Sequence, residues 1–473
     1  VASLVIRAHD AGGDFAALRT EFDLPESFPA EVLAEAEQVA GDPVDVDGDR
    51  EDATDLPLVT IDPPGSKDLD QALLIERLRS GGFRVHYAIA DLAAFLPPGG
   101  AIDQEARRRG QTLYLPDGSV PMHPPEISEG AASLLPGQVR PAVLWSIDTD
   151  SGGEPVDARV RRALVRSTEQ FDYETVQAAL AEGRPHPAVA ALPELGRLRR
   201  ELAVRRGAVE LQLPEQEIGS DTDGGWVLTQ RPRHDVEAWN AEISLLTGMT
   251  AASIMIEAGV GVLRTLPDPE PEAVDWLRRS AAALGIDWPG ELSVSELLAG
   301  LDAGRPESLA LYADTTRLLR GAGYTAFDAT APELATHAGI GGPYAHVTAP
   351  IRRLVDRFAT EVCLAVTAGR EVPEWVRAAL PDLPGLMSTS DALAARVEKA
   401  CLEQVEAWIL AEHVGGTFSA VVLRAEANRA EILIEDPPVI GKCTGVDLPE
   451  GERITVRLTA VDPEQRKIAF ERA

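Results

Sequence analysis

Apolar positions follow two rhythms along this chain. "RVHYAIADLAAFL" (residues 84–96) reads as a short apolar strand running into a turn. "DTDSGGEPVDARVRRALV" and "DTDGGWVL" set Asp/Gly-rich turns between β-type runs, which predicts hairpins. Beyond Val236 the helical rhythm dominates, and "EAWNAEISLLTGMTAASIMIEAG" is apolar on nearly every face, so it predicts a buried central helix. From Gly415 onward the pattern shortens to five β-type runs with Gly, Pro and Asp between them, the number and size of a five-stranded OB-type β-barrel. At the other end, "DFAALRTEFDLPESFPAEVLAEAEQVA" gives two short helices that should stop at the Pro-rich "LPESFP". The expected fold class is α+β. Residues 1–55 form a helical lead-in and an acidic linker, residues 56–410 a large mixed body, and residues 411–473 the barrel.

Composition narrows what such a chain can do. At 473 residues and 45% hydrophobic content it has enough apolar chain for a large core with attachments. The formal charge of −32 argues against a surface that binds polyanions everywhere, so any nucleic-acid site must be focused in a local channel. Residues 415–473 hold eight Lys/Arg, ten Asp/Glu and only two aromatics, Phe418 and Phe470, poor equipment for stacking bases. Cys363, Cys401 and Cys443 are odd in number and widely spaced, which supports neither a disulfide framework nor a zinc site and suits a reducing cytoplasm. No apolar run is read as long enough to span a bilayer, and "VASLVIRAHDAGGDF" lacks a signal-peptide layout. "DPVDVDGDREDATD" (residues 42–55) has seven acids against one arginine; it lacks the later glutamate and flanking helices of a calcium loop and reads as a solvated linker.

The chemistry concentrates in "LVTIDPPGSKDLDQALLIE" (residues 58–76), where Asp62, Asp68 and Asp70 surround a Pro-Pro-Gly-Ser turn between strongly apolar runs. Carboxylates crowded at the edge of a core lose hydration and repel one another, so they call for a cation. Asp62 falls at the end of the "LVTI" strand. In an extended segment Asp68 and Asp70, two residues apart, share a face. An all-oxygen donor set favours a hard ion such as Mg²⁺, with Mn²⁺ as a substitute. The plain alternative is an acidic surface turn in which Asp68 caps a helix beginning near "LDQALLIE".

"TIDPPGSKDLDQA" resembles the signature of the ribonuclease II family, whose RNB domain carries an Asp, five residues, an Asp, one residue and two adjacent acids. The long stretch from "VHYAIADLAAFLPPGG" through "TLYLPDGSVPMHPPEISEGAASLLPGQVRPAV" follows the same family in order and spacing. "WNAEISLLTGMTAA" resembles its glutamate-bearing helix and "YAHVTAPIRRLVDRF" its Ser-Pro-Ile-Arg segment, so the likeness covers roughly residues 56–370. The terminal barrel resembles the ribosomal-protein-type OB domain that usually follows. The resemblance implies a Mg²⁺-dependent exoribonuclease that degrades single-stranded RNA from its 3′ end to nucleoside 5′-monophosphates, with two ions assisting. It makes Asp62, Asp68 and Asp70, with Gln71 at the fourth ligand position, the metal site, and Asp70 the most essential of them. Tyr114 would stack on the terminal base, Glu242 would meet a partner or the substrate ribose, and Arg352 would offer its planar fork to phosphate oxygens. Without the resemblance, Tyr114 is as readily a core tyrosine beside a turn and "PIRR" a solvated helix start.

Three positions depart from the family. Gln71 stands where the fourth acid is expected, Leu211 where a second stacking aromatic is expected, and Ala349 where a serine usually precedes Pro350. Family members also commonly carry two cold-shock domains ahead of the body, for which about fifty residues are too few. Substitute RNA contacts are sought in "ARVRRALVR" and in "RLRRELAVRR", whose leucines at helical spacing put its arginines largely on a solvated face. The reading is a cytoplasmic, monomeric exoribonuclease with no membrane partner. Its alternative is a catalytically weak or inactive relative that binds RNA 3′ ends or a protein.

Overall fold

The computed structural model describes residues 15–41, 50–211, 215–220, 226–231 and 234–473. Helices α1 (Ala16–Glu21) and α2 (Ala30–Gly41) stand either side of the Pro-rich break. Next come β1 (Glu51–Asp52), β2 (Leu58–Ile61), β3 (Gln71–Arg77), β4 (Phe83–Ala90), α3 (Ala101–Arg109) and the hairpin β5 (Leu113–Leu115) to β6 (Gly118–Val120). Two long strands, β7 (Val139–Thr149) and β8 (Pro155–Phe171), turn over the Asp150 to Glu154 loop as the Asp/Gly-rich sequence predicts. Helices α4 (Tyr173–Ala181) and α5 (Leu192–Arg205), the hairpin β9 (Glu215–Ser220) to β10 (Trp226–Arg231), α6 (Asp235–Ala258) and β11 (Val260–Thr265) complete the first part of the body. The remainder is α7 (Pro271–Ala283), α8 (Val294–Ala299), α9 (Pro306–Thr315), β12 (Gly323–Asp328), α10 (Leu354–Thr367), α11 (Glu374–Ala379) and α12 (Leu383–Ala411).

One sheet organises the body, in the order β1-β8-β2-β3-β4-β7. Its long strand β8 pairs antiparallel with β7 and, toward its end, parallel with β1 and β2. β2 is buried at all four positions and β4 at seven of eight, so both faces are covered and their side chains read as continuous apolar runs. "DQALLIE" is therefore a strand, β3, and the helix that Asp68 could have capped does not form. The linker expectation also changes at its end: Glu51 and Asp52 pair with Ala163 and Leu164 of β8 because Glu51 finds two arginines there. The "DVDGD" portion and part of the second hairpin's turn lie outside the described residues.

Helix α6 is the central helix that the sequence predicts, packed against α5 and α10. Contrary to the expectation that no run is long enough, its 24 residues match a membrane span in length and composition, yet half of that stretch is buried inside the protein. Close approach, not length, fixes its place. A Cβ on Gly248 would lie 2.5 Å from the Ala345 carbonyl and collide with the Tyr344 ring. The Gly248 carbonyl accepts the Ala345 N–H at 3.1 Å, so the helix holds the segment leading to Arg352.

The C-terminal strands β13 (Thr417–Glu426), β14 (Arg429–Glu435), β15 (Pro438–Thr444), β16 (Arg453–Asp462) and β17 (Lys467–Arg472) close into a barrel in the order β13-β14-β15-β17-β16. Long helix α12 joins it to the body: Leu383 and Met387 lie in the body's core, while Val397, Val405 and Leu410 share a core with Val422, Ile432 and Phe470. Phe15, just before α1, fills the same junction edge-on to Trp226 and Trp408. Leu309 of α9 packs on Val421, Leu423 and Leu433 from another side. Gly248→Ala should destabilise the protein by about 1–3 kcal/mol, because the obstructing atom is a backbone carbonyl with little room to retreat. Urea denaturation of both proteins measures this, and an unchanged midpoint would contradict the close approach.

Candidate active site

Alternation and tethering shape the aspartate loop. β2 ends at Ile61, and the Asp62 N–H donates to the Phe171 carbonyl at 3.0 Å, keeping Asp62 in line with the sheet. Across the turn, the Ser133 hydroxyl donates to the Lys67 carbonyl at 2.6 Å and accepts the Leu69 N–H at 3.0 Å. The Ala90 N–H binds the Asp70 carbonyl at 2.9 Å, so residues 67–70 are fixed before β3 begins. Asp70 is 3% exposed. One of its oxygens accepts the Ile351 N–H at 2.8 Å and the other faces Arg352 Nε at 3.3 Å.

Arg352 belongs to a loop pinned on both sides. Buried Asp356 accepts the Ala349 N–H at 2.7 Å and pairs with Arg353. The Thr112 N–H donates to the Arg352 carbonyl at 3.0 Å, and the Leu354 N–H to the Gly110 carbonyl, which ties this loop to the β5–β6 hairpin. That hairpin carries Tyr114, whose hydroxyl donates to Asp68 Oδ2 at 2.7 Å while its ring stays half exposed. Between hairpin, loop and α12 opens a cleft of about 340 Å³ lined by Tyr114, Ala349, Arg352, Arg353, Val397 and Glu398.

Desolvation sets the electrostatics. Burial pushes the Asp62 carboxyl up to about 7 against the pull of Arg352, with Asp68 adding repulsion. Burial pushes Asp70 up to about 8, opposed by Arg352 and the Ile351 N–H. Asp62 Oδ2 is buried and has no hydrogen-bond partner. An orphaned acid oxygen beside two further carboxylates suits a hard divalent cation in its donor chemistry. The spacing is looser: among the described residues no group of three His, Cys, Asp or Glu side chains is drawn close enough to hold an ion.

Not every expected residue joins this centre. Gln71 begins β3, and its Oε1 accepts the Tyr87 hydroxyl at 2.8 Å, so its oxygen is already engaged. Glu242 is buried on α6, where its nearest cation is Arg199 at 3.8 Å and its Oε2 lacks a hydrogen bond. Burial raises the Glu242 carboxyl, and Arg199 and Arg206 oppose the rise; the aspartates do not figure in its surroundings. Arg199 corrects the helical-face expectation, since it is 1% exposed, its guanidinium donating to the Gly153 carbonyl at 3.1 Å. In the other arginine run, Arg166 is exposed, but three arginines are engaged within the protein. Arg159 and Arg161 pair with Glu51, and buried Arg162 joins Asp91 at 2.5 Å and Glu361 at 2.6 Å. Leu211 is half-buried immediately before residues outside the description.

Residues 50–366 match the RNB domain family, and residues 416–473 match the RNase II-type exonuclease C-terminal S1 domain. The chain belongs to the RNB family. Ribonuclease R of Escherichia coli is 27% identical over 96% of this chain and 61% of its own length. Ribonuclease R of Thermotoga maritima is 28% identical over 87% of this chain and 61% of its own. This chain thus spans about three fifths of these curated relatives. Among solved structures, Mycoplasma genitalium RNase R in complex with ribose-methylated single-stranded RNA superposes with a TM-score of 0.86 at 20% identity, covering 97% of this chain and 77% of that one. Yeast Ssd1, a pseudonuclease, gives 0.71 at 15% identity over 88% and 54% of the two chains. At such identities the structural likeness speaks for the RNB fold and the terminal barrel.

Sequence reasoning missed Tyr87, Ser133 and Asp356. Ser133 and Asp356 act through backbone groups far away in sequence, a role that leaves no local pattern. Tyr87 stood inside an apolar run, where a tyrosine reads as core. Arg162→Met should cost about 3–5 kcal/mol by taking the guanidinium from buried Glu361 and leaving Asp91 to Arg50, while leaving RNA affinity unchanged, as denaturation and RNA titration would report. In chelator, the raised carboxyls favour the folded state when protonated. Stability should therefore be greatest below the ordinary carboxylate range and be lost as pH rises through about 7 for Asp62 and about 8 for Asp70. Thermal midpoints across pH should show this fall, and Asp62→Asn/Asp70→Asn should flatten it.

Proposed function

We propose that this RNB protein is a divalent-metal-dependent, hydrolytic 3′→5′ exoribonuclease that acts on single-stranded RNA and releases nucleoside 5′-monophosphates. The observation that carries the reading is that two residues lining one cleft are each bonded to an aspartate of the loop, Arg352 to Asp70 and the half-exposed Tyr114 to Asp68. A duplex is too wide to reach carboxylates this deep, which favours a threaded single strand. The named relatives are ribonucleases, which lends support to RNA as the substrate class. A monomer in a reducing cytoplasm belongs to the same proposal and agrees with three buried free cysteines.

In this reading Asp62, Asp68 and Asp70 would hold Mg²⁺ or Mn²⁺, which when bound would supply activation of water and charge stabilisation at the leaving oxygen. Tyr114 stacks its ring on the terminal base and, through its hydroxyl, keeps Asp68 oriented. Arg352 is anchored at its Nε by Asp70, leaving its terminal nitrogens to meet phosphate oxygens as charge builds on them. The Ile351 N–H fixes Asp70 without carrying a charge of its own. Glu242 contributes at a distance, with Arg199, to the strand's path instead of to the reacting phosphate.

The commitment of Gln71 to Tyr87 favours a second reading, a weak or inactive RNB protein that retains RNA ends. A 5′-labelled unstructured RNA, incubated with Mg²⁺, Mn²⁺ or chelator, separates the two. A ladder shortening to a small oligomer, lost in chelator and in Asp70→Asn, supports the nuclease; intact bound RNA with both metals supports the binder. Asp70→Asn should remove turnover while leaving RNA affinity within a few fold. Arg352→Lys, which keeps the charge and loses the fork, should lower kcat by roughly 10²–10³ with a smaller change in KM.

A further inference from the structure

We infer that α1 and the chain flanking it act as a strap that positions Tyr114 for RNA, with Arg19 as the positioning residue that holds the tip of its hairpin. The inference rests on the stacking role proposed for Tyr114 and adds what sets that ring in place.

The hairpin cannot hold itself. β5 and β6 pair only Leu113 with Val120, Tyr114 with Ser119 and Leu115 with Gly118, and a two-stranded ribbon that stands alone is marginal in water. Its base is tied to the body, where the Thr112 N–H donates to the Arg352 carbonyl and Arg109 donates to the Pro121 carbonyl at 3.0 Å. Its tip is held by the strap. Asp117 accepts both terminal nitrogens of Arg19, at 2.8 and 2.7 Å, and the Phe15 N–H at 3.3 Å. A two-point fork of this kind fixes direction as well as distance. The two side chains are 24% and 23% exposed, so the pair is not a freely solvated contact, and the guanidinium holds the Asp117 carboxyl below its ordinary range.

Alternation along β5 turns this tether into control of the ring. Leu113 and Leu115 share one face and are buried, whereas Tyr114 takes the other face and stands half exposed in the cleft. Phe15, Leu18 and Leu24 share a core with those two leucines. The strap therefore backs the face of β5 opposite the ring, and lifting it withdraws support from Leu113 and Leu115 and lets Tyr114 turn. Farther along, Arg109 also donates to the Ser27 carbonyl at 2.9 Å and lies 3.8 Å from the centre of the Phe28 ring, so one guanidinium joins the strap's far end to the residue after β6. The strap has a second fork that does not touch the hairpin: Glu21 accepts Arg466, in the β16–β17 turn, at 2.8 and 2.9 Å. It is a control of equal chemistry.

The test uses the full chain in chelator, where binding is read without turnover, so a protein that fails to cleave RNA still tests the inference. Hydrogen exchange of residues 113–120, followed by mass spectrometry, should speed up in Arg19→Ala and stay unchanged in Glu21→Gln. Affinity for a short unstructured oligoribonucleotide labelled at its 5′ end, read by fluorescence anisotropy, should fall roughly 3–10-fold in Arg19→Ala, a part of the stacking lost in Tyr114→Ala, and stay the same in Glu21→Gln. In the Tyr114→Ala background Arg19→Ala should cost nothing further, a result that a general loss of stability does not produce. Unchanged exchange in Arg19→Ala, equal losses of affinity in Arg19→Ala and Glu21→Gln, or additive losses in the double variant overturn the inference. If Tyr114→Ala binds RNA as the wild-type protein does, the stacking role fails and the exchange data alone decide whether the strap positions the hairpin. If Arg19→Ala does not fold by circular dichroism, Asp117→Asn takes its place with the same expected results.

Discussion

The carboxylate of Asp70 is the point on which the molecule is organised. It is buried, and it is held by Ile351 and Arg352, whose place in the chain is some 280 residues away. A lone ionised carboxylate in such a position is costly, so the fold must deliver an N–H and a guanidinium to it. That requirement explains why the loop before α10 is pinned so thoroughly. Asp356 holds its start, Gly110 and Thr112 hold its end, and Gly248 lets α6 press against its approach. Tyr114 is a by-product of the same tethering, since the hairpin that supports Arg352 also carries the aromatic ring.

Charge elsewhere is spent inside the protein. The chain has 44 Lys and Arg against 76 Asp and Glu, and several of its arginines serve buried acids. Arg162 bridges Asp91 and Glu361, and Arg357 binds Asp103 at 2.9 Å and the Leu96 carbonyl at 2.6 Å. These pairs position elements; they are not free to neutralise phosphates. An acidic exterior with its arginines turned inward confines polyanion binding to places where a guanidinium still faces a cleft, and Arg352 is such a place. RNA affinity in a protein of this kind depends on few contacts and responds to salt accordingly.

Position 71 shows how one substitution is absorbed. A glutamine beside Asp70 would be a poor replacement for an acid if it merely lost a charge. Buried Tyr87, itself bonded to Ser244, donates to its oxygen, so the amide carbonyl is satisfied within the sheet.

Much of this was legible in the chain. Period-two runs with Asp/Gly turns gave the β7–β8 hairpin and the terminal barrel, and the all-round apolar stretch gave α6, because local geometry alone dictates those patterns. The ordered motifs marked Tyr114 and Arg352, which line one cleft, and Asp68 and Asp70, which are bonded to them. Other features depend on what lies across space. Helical spacing sent Arg199 to solvent, whereas tertiary packing buried it beside Glu242. Three arginines of a run that looked available for RNA, Arg159, Arg161 and Arg162, are taken up by Glu51, Asp91 and Glu361, acids scattered over three distant segments. Sequence by itself determined the elements and the donor types, through backbone periodicity and side-chain chemistry. Tertiary structure alone decided which charges are paired, which carboxyls are desolvated and which oxygens remain uncommitted, because those depend on neighbours that the chain order does not reveal.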